Sequence, residues 1–137
     1  MTEKTTKPEK GQSLVELALM LPLLLLILLG LLDFGRVYYV MVSLYDAAEE
    51  GAIYASAWPG DEPGIKERAA HASTALVTVR EDEVYPTFAV NPPQAGTTVT
   101  VTVLYDFEFY TPVANMFFTD NSVTLRGQAV KAVIGAP

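Results

Sequence analysis

The chain has 137 residues, half of them hydrophobic, with no cysteine, one histidine and one tryptophan. That length predicts one domain, and the absent cysteines exclude disulfides, thiolate metal sites and cysteine nucleophiles. The net charge of −7 argues against a nucleic-acid partner, which usually meets a basic stripe.

Residues 1–10 are rich in Lys, Thr and Glu without apolar periodicity, and read as a hydrophilic leader. From Leu17 to Leu32 no residue is charged and most are leucine. Counted from Leu14 the run is 19 residues with one acid, Glu16. About 20 apolar residues cross a bilayer as a helix. A soluble domain this small has too little chain to cover such a rod on every side, which weighs against a buried core helix. A secretory signal peptide is the other alternative. The run is too long for one, no Ala-x-Ala site closes it, and it continues into Asp33-Phe34-Gly35-Arg36. The expectation is an uncleaved anchor spanning about 14–34, with Pro22 tolerated inside it.

Charge sets the orientation. The leader balances Lys4, Lys7 and Lys10 against Glu3 and Glu9, whereas the part from Asp33 onward carries 13 acids and 6 bases. The lysines stay cytoplasmic and the acidic part is exported.

Glu16 is costly inside an apolar run, at about 2.5–3.5 kcal/mol for a charge at the bilayer centre and less near its edge. An interfacial acid reaching water is the plain explanation. A functional one follows from Gly11-Gln12-Ser13-Leu14-Val15-Glu16. Cutting after Gly11 makes Gln12 the first residue and Glu16 the fifth. The new α-amino cation then has a carboxylate to meet on a neighbouring chain.

Past the span, Val37, Val40, Met41, Leu44, Ala47, Ala48, Gly51, Ala52 and Ala55 recur on one helical face. The helix is expected over about 12–57, ending before Pro59-Gly60, with a length on the order of 65–70 Å. Two rows of small residues, Ala47, Gly51, Ala55 and Ala48, Ala52, Ser56, allow close packing. Their partner is either another subunit or the chain's own sheet. Tyr38 and Tyr39 suit a membrane interface. Asp33 and Arg36 are spaced to pair on one helical face. Asp33-Phe34-Gly35 is also the kinase magnesium tripeptide, but no glycine-rich loop or catalytic-loop motif accompanies it.

Residues 11–55 resemble the TadE family of pilin-like proteins. The resemblance rests on Gly11-Gln12-Ser13-Leu14-Val15-Glu16, on Ala18-Leu19 and Leu21-Pro22, and on Gly30. It extends through Asp33-Phe34-Gly35-Arg36 to Ala47-Ala48-Glu49-Glu50-Gly51-Ala52 and Tyr54-Ala55. It implies a prepilin peptidase that cuts between Gly11 and Gln12. It also implies that Glu16 guides assembly into a pilus or pseudopilus of the tight-adherence (Tad) machinery, beside other pilin subunits. The long half-exported helix of pilins is a further implication.

Trp58-Pro59-Gly60-Asp61-Glu62-Pro63-Gly64 is dense in turn formers. Ile65, Ala69, Ala72, Leu76 and Val79 then predict a second amphipathic helix, with His71 off its stripe. Arg80-Glu81-Asp82-Glu83 reads as a charged loop that lacks the ordered ligands of a calcium site. Val84 to Val90 reads as an edge strand because of Pro86. Thr97 to Tyr110 alternates strictly, with Val99, Val101, Val103, Tyr105, Phe107 and Phe109 on one face. Such alternation predicts a half-buried antiparallel strand. A loop over 111–121 holds Pro112, Met116, Phe117 and Phe118, which either cap the core or form a contact patch. Ser122 to Ile134 is the last strand.

The expected fold is α+β and pilin-like. It comprises a leader (1–11), a long helix (12–57) and an exported domain (58–137) with a second helix and a small antiparallel sheet. No catalytic group, metal site or cofactor is expected. Asp106 and Glu108 share a strand face, but charges that discourage edge pairing explain them better than paired-acid catalysis. The leading function is a structural subunit, in the inner membrane or an extracellular filament. The alternative is an uncleaved, membrane-tethered extracytoplasmic binding module.

Overall fold

The computed structural model describes residues 10–73, 77–111 and 121–135. The leader before Lys10, Leu76, the apolar residues Pro112, Met116, Phe117 and Phe118, and the last two residues lie outside them. The fold is α+β: a long N-terminal apolar helix, a second helix and a three-stranded antiparallel sheet.

Helix α1 runs from Lys10 to Ala57 without interruption, and Pro22 lies inside it. At 1.5 Å per residue its 48 residues extend about 72 Å. Its two halves differ in what covers them. Residues 11–32 are all exposed, including the whole leucine run. From Val40 onward one face is buried, through Leu44, Ala47, Ala48, Ala52 and Ala55.

The chain turns at Trp58 and enters α2 (Glu62–His71) through an Asp61 cap, whose side chain accepts the Gly64 N–H at 3.2 Å. The cap satisfies an N–H that the helix start leaves unpaired. Lys66 and Glu62 pair at 2.7 Å along the helix. The periodicity that carried a helix to Val79 overshoots, because α2 stops at His71. Ser73 Oγ donates to the Ala70 carbonyl at 2.7 Å and accepts the Val79 N–H at 3.4 Å. A serine that bonds local backbone competes with helix propagation, and the following Val77-Thr78-Val79 favours extended chain. Val77 and Val79 are buried from irregular chain, outside any helix or strand.

Arg80-Glu81-Asp82-Glu83 forms a 3₁₀ turn over Glu81–Glu83, closed by Arg80 ion pairs to Asp82 and Glu83. The sheet follows as a meander of β1 (Val84–Phe88), β2 (Thr98–Glu108) and β3 (Ser122–Ala132), in the order β1-β2-β3. Pro86 sits on the edge strand β1, as the missing N–H requires. The last strand ends at Ala132, two residues short of Ile134. There the Val133 N–H turns to Thr97, and those of Ile134 and Gly135 cross to the Ser56 carbonyl of α1.

Valines 99, 101 and 103 and Phe107 of β2 point at α1, joined by Val84, Ile65 and Ala69 to make the core. Two glycines set how closely the layers meet. A Cβ at Gly127 of β3 would run into the Leu44 backbone. A Cβ at Gly51 of α1 would stand 3.0 Å from Ala69 Cβ and 3.2 Å from Val101 Cγ1. The small residues Ala47, Ala48, Gly51, Ala52 and Ala55 are thus covered within the chain, by its own sheet and α2. Of the two partners their spacing allowed, the sheet and α2 occupy this face.

Candidate functional site

Three groups of motif residues lie along α1, and the fold treats each differently. Gly11, Gln12 and Glu16 occupy the first turns and are exposed. Gln12 Nε2 donates to Glu16 Oε1 at 3.5 Å, a long i,i+4 contact that holds neither group firmly. Nothing lies within 4 Å of a Cβ built on Gly11. Among the described residues these three make no contact outside their own helix.

The leucine run is the second group. An 18-residue window of α1 reaches a mean hydropathy of 2.7, and none of that window is buried. Water cannot stably cover so much aliphatic surface. The helix is long and apolar enough to cross a membrane, and it suits a single membrane anchor.

The third group is the motif just past the leucines. Asp33 is 3 % exposed although its helical neighbours Leu31, Leu32 and Phe34 are open. Its carboxylate accepts the Tyr110 N–H at 3.1 Å, the Thr111 N–H at 2.8 Å and the Thr111 hydroxyl at 2.7 Å. Arg36, one turn on, donates to the other side at 3.1 Å, which realises the spacing of the two residues. The Arg36 guanidinium also donates to the Glu108 carbonyl at 3.3 Å and lies over the Tyr110 ring, 3.7 Å from its centroid. Phe107 flanks it at 4.8 Å and meets Phe109 edge-on at 5.1 Å.

Asp33 and Arg36 thus clasp the end of β2 onto α1. A buried carboxylate is tolerated when paired and fully hydrogen-bonded, and here four donors serve it. Phe34 points away and is 70 % exposed, and Gly35 has nothing within 4 Å of its Cβ position. The motif divides into two residues that hold the domain and two that face outward.

Sequence reasoning missed Tyr110 and Thr111 as partners of Asp33. They lie 77 and 78 positions away, at a strand end with no motif of its own. The unusual acid directly after a leucine run was the available signal that a partner was needed.

Other expectations concern the part that follows α1. The side chain of His71 is solvated and lies 3.9 Å from Glu67. Asp106 is exposed and accepts from Thr124 Oγ1 at 2.7 Å across the sheet. Among the described residues, no group of three His, Asp or Glu side chains is placed to hold a metal ion. At the far end of α1 the Tyr54 hydroxyl donates to Asp61 Oδ2 at 2.7 Å. That bond, and then the Gly64 N–H, hold the Asp61 carboxyl below the ordinary carboxylate range.

Residues 11–52, from Gly11 to Ala52, fit the family described as TadE-like protein. No curated protein and no solved structure matches the chain. The matched segment holds the Gly11–Glu16 hexad, the leucine run and both clasp residues of α1, and it stops at Ala52, inside the last turns of α1. Over residues 11–52, close to a third of its length, this chain is similar to the TadE-like family.

Proposed function

We propose that the chain is a structural prepilin-like subunit, cleaved between Gly11 and Gln12 by a prepilin peptidase. It is then assembled into a Tad-type pilus or pseudopilus that serves adhesion or secretion. One observation carries this reading: the family match opens at Gly11 and runs along a helix whose leucine surface is uncovered by any of the described residues.

The mechanism is assembly rather than catalysis. The subunit waits in the inner membrane with residues 1–11 in the cytoplasm and the β-domain exported. The clasp supports a span that ends at Leu32, two residues before the boundary drawn from hydropathy, because Tyr110 and Thr111 belong to the exported part. Gln12 to Leu32 then covers about 31 Å, close to the hydrocarbon thickness of a bilayer. The scissile bond lies in the first turn of α1, where N–H groups lack helical partners and the helix opens at little cost. Cleavage leaves a cationic amine on Gln12 at the cytoplasmic edge. Glu16 of an adjacent subunit neutralises it and sets axial register. The leucine helices then bury one another, since apolar surface leaving lipid must meet apolar surface.

The partners are the peptidase, other pilin or pseudopilin subunits, the Tad membrane machinery and lipid. The competing reading, an uncleaved tethered binding module, needs neither Gly11 nor Glu16. The deciding experiment is the intact mass and N-terminal sequence of protein taken from its native membrane. A start at Gln12 supports the subunit. A start at Met1 or Thr2 with peptidase present moves the tethered module to first place.

A further inference from the structure

The leucine run of α1 stops at Leu32, and the clasp pins the end of β2 at that same level. The Tyr110 N–H reaches both oxygens of Asp33 at 3.1 Å, so Tyr110 stands one hydrogen bond from the first residue past the leucines. Its ring is 75 % exposed, with the Arg36 guanidinium 3.7 Å from the centroid. The clasp accounts for the position of the Tyr110 backbone. It does not account for a large ring left open beside an apolar helix.

The same level of α1 carries Phe34, Tyr38 and Tyr39, all exposed. At 1.5 Å per residue, Phe34, Arg36 and Tyr38 stand about 3, 6 and 9 Å beyond Leu32. A headgroup layer is about 5–7 Å deep on each side of the hydrocarbon. With the hydrocarbon ending at Leu32, Phe34, Arg36 and Tyr110 fall inside that layer and Tyr38 at its outer edge.

Placement around the helix selects the occupant. Counted from Asp33 at about 100° per residue, Phe34 lies at about 100°, Tyr38 at about 140° and Tyr39 at about 240°. Tyr110, bonded to Asp33, closes the side these three leave open. A second protein surface covers one side of a helix, as the sheet and α2 cover the face of Ala47 and Ala52. Rings on every side at one depth match a fluid layer that surrounds the helix. There an aromatic body meets the end of the hydrocarbon while a tyrosine hydroxyl stays wet.

We propose that the end of β2 is a second membrane contact, with the Tyr110 ring lying in the phospholipid headgroup layer beside Phe34, Tyr38 and Tyr39. The domain is then seated on the bilayer at two points rather than carried above it on the helix alone. The proposal rests on the membrane reading of the leucine helix and is independent of cleavage and assembly.

The test uses the full chain in phosphatidylcholine nanodiscs, part of whose lipid bears a nitroxide on its headgroup. Without any substitution, the nitroxide is expected to broaden the amide signals of Tyr110 and Thr111 and to leave those of Tyr85 and Thr102 sharp. Tyr85 opposes Thr102, about 20 Å along β2 from Glu108. Fluorescence reports the ring itself, because Trp58 is the one tryptophan of the chain. It follows the far end of α1, about 38 Å along the helix from Leu32. The double variant W58F/Y110W loses most of its emission to the nitroxide, whereas the unsubstituted chain and W58F/Y85W keep theirs. Sharp amide signals at Tyr110 and Thr111, or position 110 quenched no more than position 85, overturns the proposal. W58F/F34W separates the two readings. Quenching there without quenching at position 110 leaves the helix in the membrane and the domain above it. Quenching at neither position, or protein that never enters the disc fraction, overturns the membrane reading beneath.

Discussion

The Asp33 carboxylate accepts the Thr111 N–H at 2.8 Å across 78 positions of sequence. One end of this contact belongs to the TadE-like segment and the other to the C-terminal part that the family match does not reach. The clasp thus fastens the TadE-like part of α1 to the domain packed on that helix.

Replacing Asp33 by Ala leaves the Tyr110 and Thr111 N–H groups and the Arg36 charge without their acceptor. Removing one partner of a buried charged network costs about 3–5 kcal/mol. The expected result is a lower unfolding midpoint of the full chain in detergent, with faster amide exchange at Tyr110 and Thr111. Unchanged exchange at those two amides would show that the clasp does not hold the strand end. Thr111→Val removes the hydroxyl donor alone, and should cost about 1–2 kcal/mol.

Gly127 faces the Leu44 backbone with no room for a side chain. Gly127→Ala forces β3 away from α1, and overpacking of this kind costs about 1–3 kcal/mol. Gly30→Ala is the control, because nothing stands within 4 Å of its Cβ position. Denaturant midpoints should fall for the first variant and hold for the second. Equal midpoints would mean that the helix–sheet spacing adjusts freely.

Asp61 offers a pH test outside the membrane. The Tyr54 hydroxyl first, and the Gly64 N–H second, lower its folded-state pKa. A lowered carboxylate pKa contributes stability that is complete above the unfolded value of about 3.9 and is lost as pH falls through the folded value. Asp61 is exposed, so the contribution is small. The readout is the carboxyl carbon shift of Asp61 in an NMR titration. Its midpoint should lie below 3.9 and rise in Tyr54→Phe. A midpoint that ignores the loss of the hydroxyl rules out Tyr54 as the cause.

Two substitutions address processing and assembly. Gly11→Leu is expected to block cleavage, leaving a mass that includes residues 1–11. A mature species unchanged by it would remove the peptidase from the mechanism. Glu16→Ala should insert into the membrane normally yet disappear from sheared surface fibres. Its recovery there at the level of the unsubstituted chain would dismiss Glu16 as an assembly residue.

Asn121, directly before β3, has φ 57°, a conformation that asparagine accepts more readily than other side-chain-bearing residues. Its side-chain amide donates to the Phe109 carbonyl, and its own carbonyl accepts the Phe109 N–H at 3.0 Å. Asn121→Ala loses both the local bond and the tolerance of positive φ, for about 1–3 kcal/mol. Asn121→Gly keeps the backbone freedom and should recover part of that loss in the same thermal melt.

The long apolar helix, the alternation of β2 and the edge character of β1 were legible from sequence because each depends on local spacing. An unbroken leucine run needs no partner to declare itself, and a period of two over Val99–Phe107 names its buried face. The Asp33–Arg36 pair was legible for the same reason, one helical turn being a local distance. The end of α2 was not, since the apolar spacing through Val79 persists although Ser73 and a β-branched run turn the chain out of the helix. Nor was the partner of the small-residue rows. Ala47, Gly51 and Ala55 permit close approach equally to a sheet or to another subunit, and only the closure of β2, β3 and α2 onto that face decided it. The union of Asp33 with Tyr110 and Thr111 belongs to the tertiary structure alone. A buried carboxylate demands donors, but which distant strand end brings them is fixed by how the whole sheet seats on the helix.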